Sequence, residues 1–276
     1  MDLYNSVSYD NSRSLALSYS TSFGLSSRLF GSKVKPHIYA IYGLVRIADE
    51  IVDTYKGPDS GKLLDDLEAS TYDAMKSGYS TNPIVHAFAL TAREYKIDQP
   101  LIAPFFASMR MDLNPQNYDE RNYKKYIYGS AEVVGLMCLR VFCEGDMAKY
   151  DRLKNGASAL GAAYQKVNFL RDMSSDYKEL GRLYFPGVTF DDFDESAKKA
   201  IIDDIEKDFS MAYSSLRQLP RTARAATVLS YEYYNELLKK LKRTRTDNIK
   251  KSRVRVSDYK KIVILIKVVI REKLRR

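Results

Sequence analysis

The 276-residue sequence predicts an all-α fold. Apolar residues recur with a period near 3.6 along most of the chain, which is the pattern of amphipathic helices. Glycine and proline are sparse, at 13 and 8 residues, and few segments alternate in the way that marks strands. Because 45% of the residues are hydrophobic, the chain can bury a sizeable core. We therefore predict a single-domain helical bundle over residues 1–276.

Nine helices are predicted from the periodic segments and from the turn residues between them. Their predicted bounds are 33–55, 62–77, 84–95, 100–111, 120–145, 148–177, 193–217, 221–243 and 257–274. Gly129 and Gly135 interrupt one of these segments, so we expect a kink there. Residues 180–190 are predicted to form an irregular link.

The few cysteines and histidines exclude several kinds of site. Cys138 and Cys143 are five residues apart on one predicted helix and point to different faces, so we expect free thiols and a reducing cytoplasm. His37 and His86 lie in no Glu-x-x-His pattern, which disfavours a di-iron bundle and leaves zinc without a ligand set. No Walker A loop and no G-x-G-x-x-G motif occurs.

The positive charge is concentrated in a C-terminal tail, residues 239–276. This tail holds 16 Lys/Arg and 3 Asp/Glu, a net charge of +13, whereas the whole chain carries +9. Its aliphatic residues and its lack of Phe and Trp favour an anionic membrane surface or a partner helix over nucleic acid, although a solvated basic helix is the alternative. The run 262–270 contains Lys267 and is too short to span a bilayer. We therefore expect a cytoplasmic protein with peripheral membrane contact and no nucleic-acid partner.

One polar stripe interrupts the apolar helix predicted at 33–55. Tyr42, Arg46, Asp49 and Asp53 are spaced by 4, 3 and 4 residues, which places them on one helical face. Buried carboxylates are unfavourable unless they are paired or bind a metal. An exposed face with an Arg46–Asp49 pair is the alternative, since a single D-x-x-x-D pattern is not specific.

A second polar stripe lies in the helix predicted at 148–177. Gln165, Asn168, Asp172 and Asp176 are spaced by 3, 4 and 4 residues, and Gly161 precedes them on the same face, where it would leave room for a ligand. If the two stripes face each other, their aspartates repel and divalent cations relieve the repulsion. Oxygen ligands without His or Cys favour Mg²⁺, with Mn²⁺ as the alternative.

Such a site suits the ionisation of a diphosphate ester. The cations would bind the diphosphate, and Arg46, Arg171 and Arg182 are candidates to bind its oxygens. The carbocation left behind must be kept from water, which predicts a dry, apolar and aromatic cavity inside the bundle.

Four stretches of the chain resemble the squalene/phytoene synthase family. They are SYSTSFGLSSRLF (18–30), IYAIYGLVRIADEIVD (38–53), YIYGSAEVVGLMCLRVF (126–142) and NFLRDMSSD followed by GRLYFP (168–186). The resemblance covers roughly residues 13–190 and implies an isoprenoid synthase type of bundle with a central cavity. Glu132 departs from the family pattern, in which small residues are common.

The resemblance also implies roles for individual residues. The implied metal ligands are Asp49, Asp53, Asn168, Asp172 and Asp176. The implied diphosphate contacts are Ser22, Arg46, Arg171 and Tyr184. The residues implied to line the cavity or to steady the cations are Phe23, Tyr42, Tyr128, Val133 and Gln165, and Tyr128 is implied to be catalytic together with the four aspartates.

The activity implied by the resemblance is the head-to-head condensation of two geranylgeranyl diphosphates to phytoene through a cyclopropyl diphosphate, the first committed step of carotenoid biosynthesis. The run GSAEVVGLM (129–137) looks more like microbial phytoene synthases, and no nicotinamide site is apparent, so we expect no NADPH requirement. The alternative is a squalene or dehydrosqualene synthase acting on farnesyl diphosphate. Outside the class, a non-enzymatic helical adaptor with a basic tail is disfavoured, because an adaptor has no use for buried carboxylates.

Overall fold

The computed structural model describes residues 1–55, 57–113 and 118–275. All regular elements in these ranges are helices, which confirms the predicted all-α fold. The α-helices are α1 (Asp2–Tyr19), α2 (Thr21–Ser27), α3 (Lys35–Asp49), α4 (Ser60–Ser77), α5 (Pro83–Tyr95), α6 (Gln99–Leu113), α7 (Glu120–Ile127), α8 (Val133–Cys143), α9 (Met147–Leu180), α10 (Glu195–Leu216), α11 (Arg221–Arg243), α12 (Thr246–Ile249) and α13 (Asp258–Leu274).

The first two helices were not predicted. α1 buries Ser8, Ser12 and Ala16, which lie one turn apart and allow α3 and α5 to pack closely against it. The Ser8 hydroxyl donates to the Tyr4 carbonyl at 2.8 Å, so its burial leaves that donor satisfied. Hydrophobic periodicity misses such a helix because its buried face is built from small residues, two of which are polar.

Two π-helical turns modify helices that were predicted as regular α-helix. Glu50–Tyr55 continues α3, and Tyr128–Glu132, which contains Gly129, joins α7 to α8. A π turn adds a residue per turn and rotates the following side chains about the axis. The resulting helix, Glu120–Cys143, is long and apolar enough to cross a membrane by length and composition, yet 56% of its apolar window is buried inside the fold. We interpret it as a core helix.

Glycines allow helices to cross closely around the second π turn. A Cβ at Gly129 would lie 2.1 Å from the Pro104 carbonyl oxygen of α6. A Cβ at Gly161 would lie 2.6 Å from the Ala131 carbonyl oxygen, so the space expected there for a ligand is filled by backbone. Gly161 borders the cavity, but its main effect is to bring α9 against this turn.

The 34-residue helix α9 organises the interior. The Asp146 carboxylate caps its N-terminus by accepting from the Lys149 amide at 2.9 Å, and Gly181 ends it in the left-handed region with φ +64°. α8, α10 and α11 pack around α9. Together with α2 and α3 they enclose the predicted central cavity, whose volume is about 550 Å³.

The basic tail is part of the fold. α13 packs on α11 through Ile264 and Val268, which are buried. Lys242 pairs with Glu206 at 2.7 Å, so some of the tail's charge is neutralised by contacts within the protein. Arg276 lies outside the described residues.

Candidate active site

The cavity is long and mostly apolar. Along α9 its wall is formed by one row of residues, Leu153, Gly156, Ala157, Leu160, Gly161, Tyr164, Asn168 and Arg171. Leu153 and Arg171 are 18 positions apart, which corresponds to about 27 Å at the rise of an α-helix. Phe30 and Phe142 line the cavity with their ring centroids 5.5 Å apart. The polar residues of the α9 row lie toward its C-terminal end.

Three arginines line the polar end of the cavity. Arg46 Nε donates to Glu50 Oε1 at 3.0 Å, and its guanidinium lies 4.3 Å from the centroid of the Tyr19 ring. Arg171 Nε donates to Asp172 Oδ1 at 2.9 Å. Arg253 Nε lies 2.7 Å from the same Asp172 oxygen. Guanidinium groups bind phosphate oxygens in a bidentate manner, so this end of the cavity is suited to a diphosphate.

The aspartates of the first stripe lie beside this polar end. The Asp49 side chain keeps 31% of its surface exposed, but the surrounding protein displaces much of its water. This desolvation raises the pKa of Asp49 to about 7; Arg46 lowers it, whereas Asp53 and Asp112 add to the increase by charge repulsion. Asp53 belongs to the π turn after α3 and is 42% exposed.

The aspartates of the second stripe have different surroundings. Asp172 is paired with Arg171 and Arg253. Desolvation raises the pKa of Asp176 to about 7, with further increases from the charges of Asp172 and Asp53. Since Asp53 acts on both Asp49 and Asp176, the two predicted stripes approach each other at Asp53.

A fifth aspartate, Asp112 of α6, joins this group and was not predicted. Its side chain is 3% exposed, and its Oδ2 accepts from the Tyr126 hydroxyl at 2.8 Å. Desolvation raises the pKa of Asp112 to about 7; the Arg182 charge lowers it and the Asp53 charge raises it. An acidic residue in the apolar run PLIAPFFASMRMDL was the available signal.

Arg182 is the counter-ion of the aspartates. Its Nη1 lies 2.7 Å from Asp53 Oδ1 and 3.3 Å from Asp112 Oδ1, and its Nη2 donates to the Asp112 carbonyl at 2.6 Å. Only 4% of its side chain is exposed. The sequence suggested that Arg182 binds diphosphate; instead it is buried among carboxylates and lies outside the wall of the cavity.

The donor set fits Mg²⁺ that is bound together with a diphosphate. Within the part of the chain that the structure describes, no three carboxylate, imidazole or thiol side chains converge on a single metal position. Mg²⁺ is commonly held by one or two carboxylates, with phosphate oxygens and water completing its shell. Asp49 and Asp53 offer partly exposed oxygens for this. His37 and His86 have other partners, Thr91 at 3.0 Å and Asn5 at 2.8 Å.

Aromatic rings line the cavity next to its polar end. Phe23 and Tyr42 stack at 4.7 Å, and Tyr164 and Tyr234 stack at 4.0 Å. The Tyr234 hydroxyl donates to Asn168 Oδ1 at 3.2 Å, which orients the amide of the second stripe. Tyr164 and Tyr234 were not predicted, although Tyr164 lies one turn before Asn168. Aromatic faces attract cations, so these rings can steady a carbocation.

Only some of the predicted substrate-binding and catalytic residues lie in the cavity wall. Ser22, Phe23, Tyr42, Arg46, Asn168 and Arg171 line the cavity. Tyr128, Val133, Gln165 and Tyr184 are absent from its wall.

These four residues have different surroundings outside the cavity wall. Tyr128 begins the second π turn and is 40% exposed, whereas Val133, the first residue of α8, is fully buried. Gln165 lies on the row of α9 next to the one that forms the wall. Tyr184 stacks on Phe169 at 4.0 Å.

Glu132 also faces away from the cavity. It accepts a hydrogen bond from Ser158 of α9 and is near Lys166 and Asp208. Burial raises the pKa of Glu132. Glu132, which departs from the family pattern, is therefore not part of the cavity wall.

Fold and site together define an isoprenoid synthase type of helical bundle, with a long apolar cavity and with arginines and aspartates at one end. Residues 17–260 match the sequence profile of squalene/phytoene synthases. The chain belongs to the squalene/phytoene synthase family.

Individual relatives show how far this similarity extends. The chain is 27% identical over 192 residues to a 4,4'-diapophytoene synthase of Staphylococcus haemolyticus, covering 69% of this chain and 65% of the relative. It is 33% identical over 196 residues to a phytoene synthase of Arthrospira platensis, covering 66% and 62%. The matched segments thus span less than two thirds of these relatives. A solved dehydrosqualene synthase has the same fold, with a TM-score of 0.81, 20% identity and 98% of each chain covered.

Proposed function

We propose that this protein is a Mg²⁺-dependent prenyltransferase that joins two geranylgeranyl diphosphates head to head to give phytoene, through a cyclopropyl diphosphate. The observation that carries the proposal is the arrangement of the cavity. Three arginines lie at the end of an apolar cavity that extends about 27 Å along α9, from Leu153 to Arg171. Such a cavity can hold a diphosphate at its polar end and a long hydrocarbon away from water.

The arginines would exchange their present partners for the substrate. Arg46, Arg171 and Arg253 now contact carboxylates and would turn to the diphosphate oxygens. Asp49, Asp53, Asn168, Asp172 and Asp176 would share the binding of Mg²⁺ ions together with the diphosphate, and the bound ions would neutralise the charge of the diphosphate as it leaves. Mn²⁺ is the alternative ion.

The apolar wall would protect the reactive intermediate. The allylic cation formed by loss of diphosphate alkylates the double bond of the second substrate, and loss of a proton closes the cyclopropane. The stacked pairs Phe23–Tyr42 and Tyr164–Tyr234 would face this cation and exclude water. A second ionisation and rearrangement, followed by loss of a proton, give phytoene without a reductant, so we propose no NADPH requirement.

A second candidate is the condensation of two farnesyl diphosphates. It is supported by the relative named 4,4'-diapophytoene synthase and by the structural similarity to a dehydrosqualene synthase. The 33% identity to a phytoene synthase and the length of the cavity favour the longer substrate.

The deciding experiment is incubation of the purified protein with Mg²⁺ and either prenyl diphosphate, with and without NADPH. Mass and absorbance of the extracted hydrocarbon identify the product. We expect a C40 hydrocarbon that contains a conjugated triene from geranylgeranyl diphosphate without NADPH, whereas a C30 product would replace the proposed substrate. Asp53→Asn and Asp176→Asn should abolish product, and Asp73→Asn, at an exposed acid of α4, should not.

Ligand binding separates an enzyme from an adaptor. Mg²⁺ with pyrophosphate should raise the thermal midpoint of the wild-type protein by binding only the folded state, and Asp53→Asn should weaken this effect. If a folded protein shows neither product nor stabilisation, the assignment of the aspartates is wrong.

We further propose a cytoplasmic enzyme that contacts a membrane peripherally and binds no nucleic acid. The free thiols of Cys138 and Cys143 support a reducing compartment. A hydrocarbon product needs a membrane to receive it, and the basic tail would provide the contact. Fractionation of cells that express the protein tests this, because peripheral contact predicts release from membranes by high salt.

A further inference from the structure

Helix α13 carries an apolar stripe on its outer surface. Ile262, Ile266 and Ile270 lie one turn apart and are 51%, 52% and 53% exposed. Tyr259 and Leu274 extend the stripe at both ends and are 78% and 81% exposed. Since one turn of helix separates successive members, they form a continuous line along α13.

This stripe is distinct from the face through which α13 packs. The inner face buries Ile264 and Val268, and the Tyr233 hydroxyl of α11 donates to the Lys261 carbonyl at 3.2 Å. α13 thus has two apolar faces, and within the described ranges only the inner one is covered. A helix that uses one face for its own fold and exposes a second has a surface suited to binding an apolar partner.

The stripe borders an apolar groove that α13 shares with α2. Leu25 of α2 and Leu29 after it line one side, and residues of α13, including Ile266 and Ile270, line the other. The groove has a volume of about 370 Å³. α2 also separates the groove from the large cavity, because its Phe23 lines that cavity.

Positive charge surrounds the stripe and the groove. Lys267 and Lys273 are exposed on α13 and form no ion pair in the part of the chain that the structure describes. Arg28, at the edge of the groove, is likewise exposed and has no acidic partner there. Lys35 Nζ donates to the Arg28 carbonyl at 3.1 Å, which brings another cation beside it. An aliphatic surface bordered by unpaired cations is complementary to anionic lipid headgroups above acyl chains.

We propose that α13 and the edge of α2 dock on the surface of an anionic lipid bilayer. The 17-residue helix, with Lys267 in its middle, is too short and too polar to span the bilayer, so it lies in the interface with its isoleucines inserted. This assigns the membrane contact to one face of α13. Residues 239–257, all of which the structure describes, are less suited to this contact, because they expose no large apolar side chain and because Arg253 and Lys242 are held by internal acids.

The position of this face also gives it a role that rests on the proposed function. Because α2 borders both the cavity, through Phe23, and the groove, through Leu25, a hydrocarbon formed in the cavity would lie across α2 from the docked bilayer. Docking at this face would therefore place the product next to the phase in which it dissolves.

Vesicle cosedimentation with the full chain tests the docking without substrate. The vesicles contain phosphatidylcholine alone or phosphatidylcholine mixed with phosphatidylglycerol. We expect binding to the anionic vesicles, weaker binding at high salt, and little binding to phosphatidylcholine alone.

Two variants probe the face, and each has a matched control. Ile262→Ser/Ile266→Ser/Ile270→Ser should weaken binding about tenfold or more by removing the inserted side chains. Leu3→Ser/Leu63→Ser/Met211→Ser, at exposed positions of other helices, should bind like wild type.

The second pair of variants tests charge. Lys267→Gln/Lys273→Gln should weaken binding about tenfold, whereas Lys239→Gln/Lys251→Gln, which lowers the tail's charge equally, should change it less than about twofold.

Three results would overturn the proposal. The first is that the full chain does not bind anionic vesicles, and the second is that the α13 variants bind them as well as wild type does. The third is that sedimentation shows a dimer that the isoleucine variant dissociates, because a second copy of the chain would then cover the stripe. Far-ultraviolet circular dichroism and the pyrophosphate-dependent thermal shift confirm that each variant is folded. Because vesicle binding needs no catalysis, a protein that binds vesicles but makes no hydrocarbon would overturn the proposed function and leave the docking intact.

Discussion

The Arg182 guanidinium lies 2.7 Å from the Asp53 carboxylate and joins the segment after α9 to the π turn after α3, 129 positions earlier in the chain. The same guanidinium lies 3.3 Å from Asp112, whose side chain is almost completely buried. One arginine thus connects three separate segments at the carboxylate end of the candidate site. Without it, Asp112 would be a buried charge with no cationic partner among the described residues.

Arg182→Gln should destabilise the fold by about 3–5 kcal/mol, because it leaves the buried Asp112 carboxylate without its charge partner. Urea unfolding of metal-free protein measures the effect. Asp112→Asn/Arg182→Gln should lose less than the sum of the two single variants, since the double variant leaves no uncompensated charge between them.

An exposed arginine provides the control for this cycle. Arg110 pairs with Asp65 and Glu68 at the surface and is 40% exposed. Arg110→Gln should therefore lose about 1 kcal/mol or less. If Arg182→Gln were as mild as Arg110→Gln, the assignment of Arg182 as an essential counter-ion would be wrong.

The raised pKa of Asp176 predicts a pH-dependent stability. Its pKa rises from an ordinary 3.8 to about 7 on folding, so the folded state binds the proton more tightly than the unfolded state. The contribution of Asp176 is therefore most favourable below pH 4 and is lost as the pH rises to about 7, with a slope of at most about 1.4 kcal/mol per pH unit.

Comparison with Asp176→Asn isolates this effect from other titrating groups. In metal-free urea unfolding, the variant should gain stability relative to wild type as the pH rises from about 4 through 7, and the difference should become constant only well above pH 7. A difference that does not change with pH would show that the Asp176 carboxyl titrates alike in both states. Mg²⁺ with pyrophosphate should reduce the advantage of the variant at high pH, since the cation then balances the carboxylate.

Much of the fold was predictable because periodic segments with clear ends determine where helices form. The nine predicted helices correspond to helical segments whose ends differ by only a few residues. α1 was missed because its buried face consists of Ser8, Ser12 and Ala16, which carry no hydrophobic signal.

The candidate site was predictable in residue types but less so in geometry. Spacing along a helix identifies which residues share a face, and it placed Arg46 and Asn168 at the cavity. It does not reveal that Tyr128 begins a π turn and is 40% exposed, nor that Arg182 is buried against Asp112, because both depend on contacts between distant segments.

Gly129 is predicted to be essential for packing. In Gly129→Ala the new Cβ would lie 2.1 Å from the Pro104 carbonyl oxygen and from Ser108 Oγ, so α6 and the π turn must separate. We expect a loss of about 1–3 kcal/mol or more in the free energy of unfolding. Gly61→Ala, where the new Cβ would lie at an ordinary 3.8 Å from the Leu113 side chain, should be neutral or slightly stabilising. Equal effects of both substitutions would contradict the close crossing.

The last prediction concerns the length of the substrate and rests on the proposed function. Ala157 lines the cavity 14 positions before Arg171, about 21 Å along α9. A donor with its diphosphate at Arg171 reaches this position only with its far end. Ala157→Leu should therefore shorten the usable cavity and raise the ratio of C30 to C40 product when both prenyl diphosphates are offered. Ala148→Leu, the same change at an exposed position of α9, should leave the ratio unchanged. A product ratio unaffected by Ala157→Leu in a folded protein would show that the hydrocarbon does not extend along α9 as far as Ala157.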